Sequence, residues 1–570
     1  MSIKIQNTDN FDTLRKGNSY YVDKTGFLEK FLESPADASL FTRPRRFGKT
    51  LFMSMLASFF DIDRKSRELF AGLKVAENEE LCAQWMNQYP VIFLTLKGVE
   101  TLTYAEAVNA IQIKISDICT LHDDVLNNNR IKARDRSVFQ KLMDCETNEI
   151  TLRGSLLVLT RVLFQHYNKP VILLIDEYDV PVAKAADKGY YDEMIVFMRG
   201  FLTDPLKTNP YLKFGILTGV LRITKQSIFS DLNNLDCFDI TEPLHSNLFG
   251  FTQNEVDQLL ADAGFEDKRE EIRKWYDGYH FGKQQEIYCP WSIMKYLTLL
   301  KDYPQEAPRA YWVGVTKNEL TKGFHDRIPA TVQDDMASLT DGKSIAANIN
   351  MDLDYTQVYS KKDNFWTLLY LTGYLTPVDE NANTAVVPGL GQTLLAIPNR
   401  EVREAFETDI KSWFENIVPE EDMLDDFFQP FWDGDATKFE QNLHERLLLS
   451  SSFRDYRYRE YFYHSLLLGI FMLKYTVASN REAGNGVFDL TVVNNDKNIA
   501  AVIEIKRADS EKALEVCVDE ALQQIEKRQY DAELKTMGYT KVFHWGMAFF
   551  KKACKMGVRC ESAGRIPCSC

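Results

Sequence analysis

No stretch of the 570-residue chain approaches the roughly 18 uninterrupted apolar residues of a membrane span, which excludes a long hydrophobic helix. The opening, MSIKIQNTDNFDTLRKG, lacks the apolar run of a secretory signal. The expectation is a cytoplasmic protein with no membrane partner. Cysteine is sparse: ten residues, scattered, suit reduced thiols better than a disulfide framework. Four of them (Cys554, Cys560, Cys568 and Cys570) crowd the end, but their spacing fits no zinc pattern and no histidine lies near. Residues 554–570 therefore read as a loosely ordered, Cys-containing tail. Positive charge is in deficit, with 67 Lys and Arg against 82 Asp and Glu and a net charge of −15. That excludes one continuous nucleic-acid-binding face and leaves only local basic patches. Internal repeats and long low-complexity segments are also missing.

What is there is ordinary globular material, 45% hydrophobic and 26% charged, long enough for several cores. ASLFTRP (38–44), YPVIFLTLKGV (89–99), PVILLIDEYDV (170–180) and YLKFGILTGV (211–220) read as strands. KTLFMSMLASFF (49–60) and SLLVLTRVLFQHY (155–167) read as helices between them. Continuous apolar strands alternating with helices imply an α/β parallel sheet covered on both faces, here over 1–245. Near 245 the pattern changes. Thr252 with Glu255 forms a capping box that opens a helix, and 246–400 reads as a second, smaller module with short strands such as GYLTPV (373–378) and TAVVPGL (384–390). Residues 401–455 read as a helical connector. From 456 to 553 a second α/β unit follows: an amphipathic helix (457–475), paired strands (486–496 and 497–508), a helix (510–530) and a closing strand (540–550).

The segment FTRPRRFGKT (41–50) is a phosphate-binding loop short of its first glycine, whose place Arg43 takes. Gly48, Lys49 and Thr50 stand between a strand and a helix, where backbone N–H groups and the helix N-terminus meet phosphate, the lysine reaches its terminal oxygens and the threonine hydroxyl takes Mg²⁺. Proline removes an N–H, so the loop should use fewer backbone donors, and Arg43, Arg45 and Arg46 offer side-chain charge instead. VILLIDEYD supplies the acidic strand tip: Asp176 for the metal, Glu177 to polarise water. Thr218 ends another strand and can feel the γ-phosphate, and Arg222 follows as a transition-state cation. Arg45, Arg46 and Arg222 are candidates for a cation acting within the chain or across a subunit boundary of an oligomer.

In the last unit Asp489 lies on one strand, and Glu504 and Lys506 lie on the next as E-x-K. Residues i and i+2 of a strand share a face, so Glu504 and Lys506 point together and the turn brings Asp489 close. Two carboxylates and a lysine are what a metal-dependent nuclease needs to hold Mg²⁺ or Mn²⁺ and position water. Glu460, on the preceding helix, is a third metal carboxylate, and His464 shares its face and reads as a packing histidine. Phosphate contacts would come from Lys506, Arg507 and Lys527.

YYVDKTGFLEKFL, TRPRRFGKT, LIDEYDVPV, TGVLRITKQSIFSDLNNL, YDGYHFG with IYCPWSIMKYL, and GYLT, in this order, resemble the bacterial AAA-ATPase-like proteins that carry a C-terminal PD-(D/E)XK nuclease-like domain. The resemblance covers nearly the whole chain. It implies that RPRRFGK[ST] is the normal form of the loop, that the nucleotide is ATP, that 246–400 is a helical, winged-helix-like lid carrying YDGYHFG, and that the last unit is restriction-endonuclease-like. It also implies that Gln524 and Tyr530 lie near the metal or the nucleic-acid backbone. Val487 and Phe488 depart from the pattern, replacing an expected polar residue and the proline of the name motif. The combined reading is an ATPase coupled to a metal-dependent nuclease acting on DNA or RNA. The alternative is an ATP-dependent switch or nucleic-acid-binding regulator whose nuclease-like unit does not cut; a phosphotransferase lacks any acceptor-site motif.

Overall fold

The computed structural model describes residues 3–222, 228–229, 232–312, 330–340, 342–353, 355–358, 361–378, 389, 391–413, 424–449, 460–472, 474–479, 482–483, 486–487, 489–528, 534, 537–539 and 541–562. The chain divides into two compact units, Met1–Glu319 with Ala346–Arg403, and Leu320–Ile345 with Glu404–Cys570. Among the described residues no helix is long and apolar enough to cross a membrane.

The first unit is built on the apolar runs. Strands β1 (Ala38–Thr42), β2 (Val91–Thr95), β3 (Val171–Asp176), β4 (Leu212–Gly219) and β5 (Leu235–Phe238) form one sheet in the order β2-β3-β4-β1-β5. Every neighbouring pair is parallel. β1 and β3 are buried along their whole length, as strands covered on both faces must be. Helix α1 (Lys49–Phe60) follows β1, and α2 (Ser155–Tyr167) precedes β3. The decisive feature is the position of β4. It lies between β1 and β3, so Thr218 pairs with Phe41, Gly219 with Thr42, and Leu217 with Ile175. The phosphate loop, Thr218 and Asp176 thereby come to one carboxyl-terminal edge, where ligands of open α/β sheets sit.

Of the segment after 245, the stretch up to Glu319 and Ala346–Arg403 belong to this same unit, and Leu320–Ile345 belongs to the second. Strands β6 (Phe251–Thr252), β7 (Tyr279–Phe281) and β8 (Gln284–Tyr288) make a small antiparallel sheet. Helices α3 (Gln253–Ala263), α4 (Arg269–Tyr276) and α5 (Pro290–Asp302) surround a core of Val256, Leu259, Ile272, Ile293 and Leu297. The capping box is present: the Thr252 hydroxyl accepts from the Glu255 N–H, and the Glu255 carboxylate accepts from the Thr252 N–H. Lys24 Nζ donates to both Glu255 oxygens at 2.7 Å and to the Asn247 carbonyl at 2.9 Å, which ties the N-terminal segment to this region. In GYLTPV only Thr376–Pro377 is strand, paired with Thr393–Ala396; TAVVPGL lies, apart from Gly389, outside the described residues.

The second unit has a mixed five-stranded sheet of β9 (Thr476–Ser479), β10 (Leu490–Asn494), β11 (Ile499–Arg507), β12 (Lys541–Phe550) and β13 (Ala553–Ser562), in sequence order. Only the β11–β12 pair is parallel. Helices α6 (Arg400–Trp413), α7 (Leu424–Asp433), α8 (Ala436–Leu449), α9 (Glu460–Met472) and α10 (Leu514–Arg528) complete the described helices from 400 onward. Two expectations need correction. The 401–455 segment is not a mere connector: Phe428 and Phe431 of α7 and Phe439 and Leu443 of α8 are core residues packed with Ile503, Ile505 and Trp545 of the sheet. The aromatic content of FFQPFW was the overlooked sign, since a solvated connector would not carry it. Nor is 554–570 a loose tail throughout, because β13 pairs with β12 over its full length and buries Cys554; Cys568 and Cys570 lie outside the described residues.

Phe431 is fully buried and stacks on Trp545 with ring centroids 4.8 Å apart. Phe431→Ala should therefore destabilise the second unit by about 3–5 kcal/mol. Urea unfolding followed by tryptophan fluorescence checks this; a loss below about 1 kcal/mol would return the segment to the status of a linker.

Candidate functional site

The phosphate loop is shaped by left-handed backbone. Gly48 has φ of +88° at the N-cap of α1 and no side chain caps the helix, so the first N–H groups of α1 are left for a ligand. Arg46 has φ of +70° and Glu177 of +56°, conformations that non-glycine residues seldom adopt and that cluster at functional sites. Lys49 is buried, and its Nζ donates to the loop's own carbonyls, Arg43 at 2.9 Å and Pro44 at 2.8 Å. Burial pushes its pKa down to about 8, against the pull of Asp179, Asp176 and Glu177. The loop thus holds an ammonium group on carbonyl oxygens where a phosphate oxygen would be the better partner.

The arginines do not act alike. Arg43, standing where the first glycine was expected, is fully buried. Its guanidinium donates to the carbonyls of Thr42 (2.8 Å), Phe238 (2.7 Å) and His245 (3.2 Å), and lies over the rings of Phe249 and Phe281. The expectation that three arginines offer charge to phosphate is corrected for this one: Arg43 is a strut beneath the loop. Arg45 and Arg46 do line a 630 Å³ cavity together with Gly48, Lys49, Thr50, Glu177 and Asp179. The same cavity takes in residues 20–22, the start of YYVDKTGFLEKFL, and also residues 6–9 and Lys97 after β2, which the motifs did not signal.

Asp176 is fully buried at the end of β3 and its Oδ1 accepts from the Thr218 hydroxyl at 2.5 Å. Its Oδ2 is buried with no hydrogen-bond partner among the described residues. A buried, unsatisfied carboxylate oxygen is costly and fits a divalent cation, with the Thr50 hydroxyl at the second position of α1 as the other protein group. Burial, then the charge of Asp176, raises the pKa of Glu177, bringing it nearer the range of a useful base. Asp179 was missed. Its Oδ2 accepts from the N–H groups of Val220 and Leu221, both at 2.9 Å, which fixes the turn after β4. The fourth letter of DEYD was the available sign. Gly219 is required there, because a Cβ would lie 2.6 Å from the Tyr178 ring. Arg222 follows this turn and is not among the residues that line the cavity.

In the second unit the three expected residues meet. Asp489 Oδ2 accepts from the Ile505 N–H at 2.7 Å, and Lys506 Nζ donates to Glu504 Oε1 at 3.0 Å, as a shared face requires. Glu504 is 3% exposed and also accepts from Gln524 on α10. His464 is buried and its Nε2 lies 3.0 Å from the Asp489 carbonyl, so it packs the strand tip rather than opening to solvent. Lys527 and Arg507 are exposed. Glu460 begins α9 but its side chain, like Tyr530, lies outside the described residues. Among the described residues no group of three or more His, Cys, Asp or Glu side chains could hold a metal ion, so the set here is Asp489 and Glu504 with Lys506 alongside.

Comparison with known proteins agrees with this division. Residues 6–229 match the family described as predicted AAA-ATPase, and residues 458–558 match the PD-(D/E)XK nuclease superfamily. The chain is also 28% identical over 286 residues to the uncharacterized protein in the vnfD 5' region of Azotobacter chroococcum mcd 1, an alignment covering 50% of this chain and 49% of that protein. The match thus spans about half the length of the relative.

The strut role of Arg43 has a direct consequence. Arg43→Gly, which restores the usual loop sequence, should cost about 3 kcal/mol or more from three lost charged hydrogen bonds, and should not tighten nucleotide binding. Denaturant unfolding with calorimetric titration measures both; a stable variant that binds more tightly would contradict the assignment.

Proposed function

We propose that this chain, which joins an AAA-ATPase-like domain to a PD-(D/E)XK nuclease superfamily domain, is a cytoplasmic ATPase whose nucleotide state governs a metal-dependent nuclease acting on DNA or RNA. The observation that carries the first half is the meeting of Gly48–Lys49–Thr50, Thr218 and Asp176 at one sheet edge. Lys49 and the N-terminus of α1 would neutralise the phosphates, and Thr50 and Asp176 would hold Mg²⁺, which would supply further positive charge there. Thr218 orients Asp176. Glu177 would take the proton of the attacking water at a carboxylate oxygen, helped by its raised pKa. Arg45, Arg46 and Arg222 are the proposed sources of transition-state cation, the last from another part of an assembly or after closure. Region 246–400 would serve as a winged-helix-like lid: Leu248, Phe251 and Trp291 already line the cavity.

For the second half, Asp489 and Glu504 would hold Mg²⁺ or Mn²⁺, with Glu460 as a third ligand, and Lys506 would position the attacking water. Gln524 holds Glu504 in place. One observation favours the alternative of a non-cleaving, nucleic-acid-binding regulator: Asp489 and Glu504 already take protein donors, Ile505 N–H and Lys506 Nζ.

Cleavage of DNA and RNA with Mg²⁺ or Mn²⁺, with and without ATP, separates these readings. Glu504→Ala and Lys506→Ala should each lower cleavage by about 100-fold or more while leaving ATP binding intact. No effect of either in any nucleotide state would leave the regulator.

Lys49→Ala should abolish nucleotide binding. A pH signature goes with it. The folded pKa of Lys49, about 8, lies below its ordinary 10.5, so between those values the folded protein binds fewer protons than the unfolded chain. Stability from this group therefore rises with pH across that window. Phosphate needs the charged form, so MgATP affinity should fall about tenfold per pH unit above 8, with proton uptake visible by calorimetry in buffers of different ionisation enthalpy. A flat profile would place Lys49 away from the phosphates.

A further inference from the structure

Among the described residues the Arg46 guanidinium meets two groups outside the loop. Its Nη1 donates to the Tyr311 carbonyl at 2.6 Å, and its guanidinium lies 4.7 Å from the centroid of the Trp291 ring. Both partners are held by one carboxylate. Glu401 Oε1 accepts from the N–H groups of Tyr311 (2.7 Å) and Trp312 (2.8 Å), and Oε2 accepts from the hydroxyl of Ser292, next to Trp291 (2.7 Å). Glu401 has no exposed surface, and each of its oxygens is used. A carboxylate placed fully inside the protein is expensive unless its bonds are all made, so this bracket has one well-defined arrangement. Arg46 also lines the nucleotide cavity, on the same loop as Gly48 and Lys49.

We propose that Glu401 is the positioning residue for Arg46, and that through this pair occupancy of the cavity by a nucleoside triphosphate is linked to the start of α6. Glu401 is the second residue of α6, and the first unit ends at Arg403, within the same helix. A terminal phosphate recruits Arg46 by a charge-assisted, two-pronged bond stronger than its single bond to a neutral carbonyl. The Tyr311 carbonyl and the Trp291 ring then lose their cation, and the bracket that closes on Glu401 is altered at its other end. Coupling of this kind is reciprocal: a change at Glu401 must change the preference for triphosphate over diphosphate. The inference rests on the reading of the cavity as a nucleotide site. It adds the device that reports which nucleotide is bound, and it names the helix that carries the report.

The test uses the full chain, ADP with Mg²⁺, and a non-hydrolysable β,γ-imido analogue of ATP with Mg²⁺. Calorimetry measures both affinities, and hydrogen exchange follows peptides spanning 306–312 and 400–406. In the parent protein the analogue should change exchange of both peptides by about fivefold relative to ADP. Glu401→Gln keeps the shape but removes the charge; it should abolish that difference and lower the triphosphate-to-diphosphate affinity ratio by about fivefold, with ADP binding within about twofold of the parent. If Glu401→Gln fails to fold, Arg46→Lys, which keeps charge without the planar fork, should give the same loss with the Glu401 bracket intact. Binding of both nucleotides with no exchange change at 306–312 or 400–406 would overturn this proposal alone. An unchanged affinity ratio in Glu401→Gln would reduce Glu401 to a structural bracket. Absence of nucleotide binding in the parent protein would remove the underlying reading, and this one with it.

Discussion

The buried guanidinium of Arg43 is the constraint on which the first unit depends. A phosphate loop must hold its backbone open to an anion, and a glycine-rich loop does so by conformational freedom. Here the loop is braced instead. Arg43 takes the carbonyl at its own strand end, the last residue of β5 and His245 beyond it, and rests between Phe249 and Phe281. Burial lowers its pKa to about 10, still far above neutrality, so the charge persists and must stay bonded. One side chain thereby joins β1, β5 and the β7 region. The region after 245 covers that buried charge with the rings of Phe249 and Phe281.

A second layer of electrostatics sits above that strut. Lys49 is the buried ammonium of the strand-tip edge, with Asp176, Glu177 and Asp179 around it. Asp176 Oδ2 is buried with no hydrogen-bond partner among the described residues, and the Lys49 ammonium rests on two carbonyl oxygens. In the proposed reading a magnesium–phosphate pair would answer both together. The fold's investment in this edge is visible in its strain, with Arg46 and Glu177 both at positive φ, and in Gly219, where no side chain fits against Tyr178 and Asp179.

Much of this was legible from local sequence. Gly48–Lys49–Thr50, the apolar strand ending in Asp176, the Thr252–Glu255 cap and the E-x-K strand each carry their geometry within a few residues, because strand period and helix capping are local rules. What stayed hidden depends on long-range packing. Arg43 looked like charge offered to phosphate, and nothing nearby shows that its partners lie about 200 residues on, at Phe238 and His245. Asp179 was quoted but given no role, since the N–H groups it binds belong to the strand end at Val220 and Leu221. Phe431 was placed in a connector because its stacking partner, Trp545, comes from the far end of the unit. His464 was read as a packing residue, and its bond to the Asp489 carbonyl gives that packing a place beside the second site.

The central claim is that the edge formed by β1, β4 and β3 binds and hydrolyses ATP. Phosphate release by Glu177→Gln, measured beside its affinity for MgATP, tests it most directly. The account predicts binding close to that of the parent protein and hydrolysis lower by about 100-fold or more, because the group that takes the proton from water is gone while Lys49, Thr50 and Asp176 remain. Hydrolysis that persists unchanged in Glu177→Gln, or a parent protein that releases no phosphate, would contradict it.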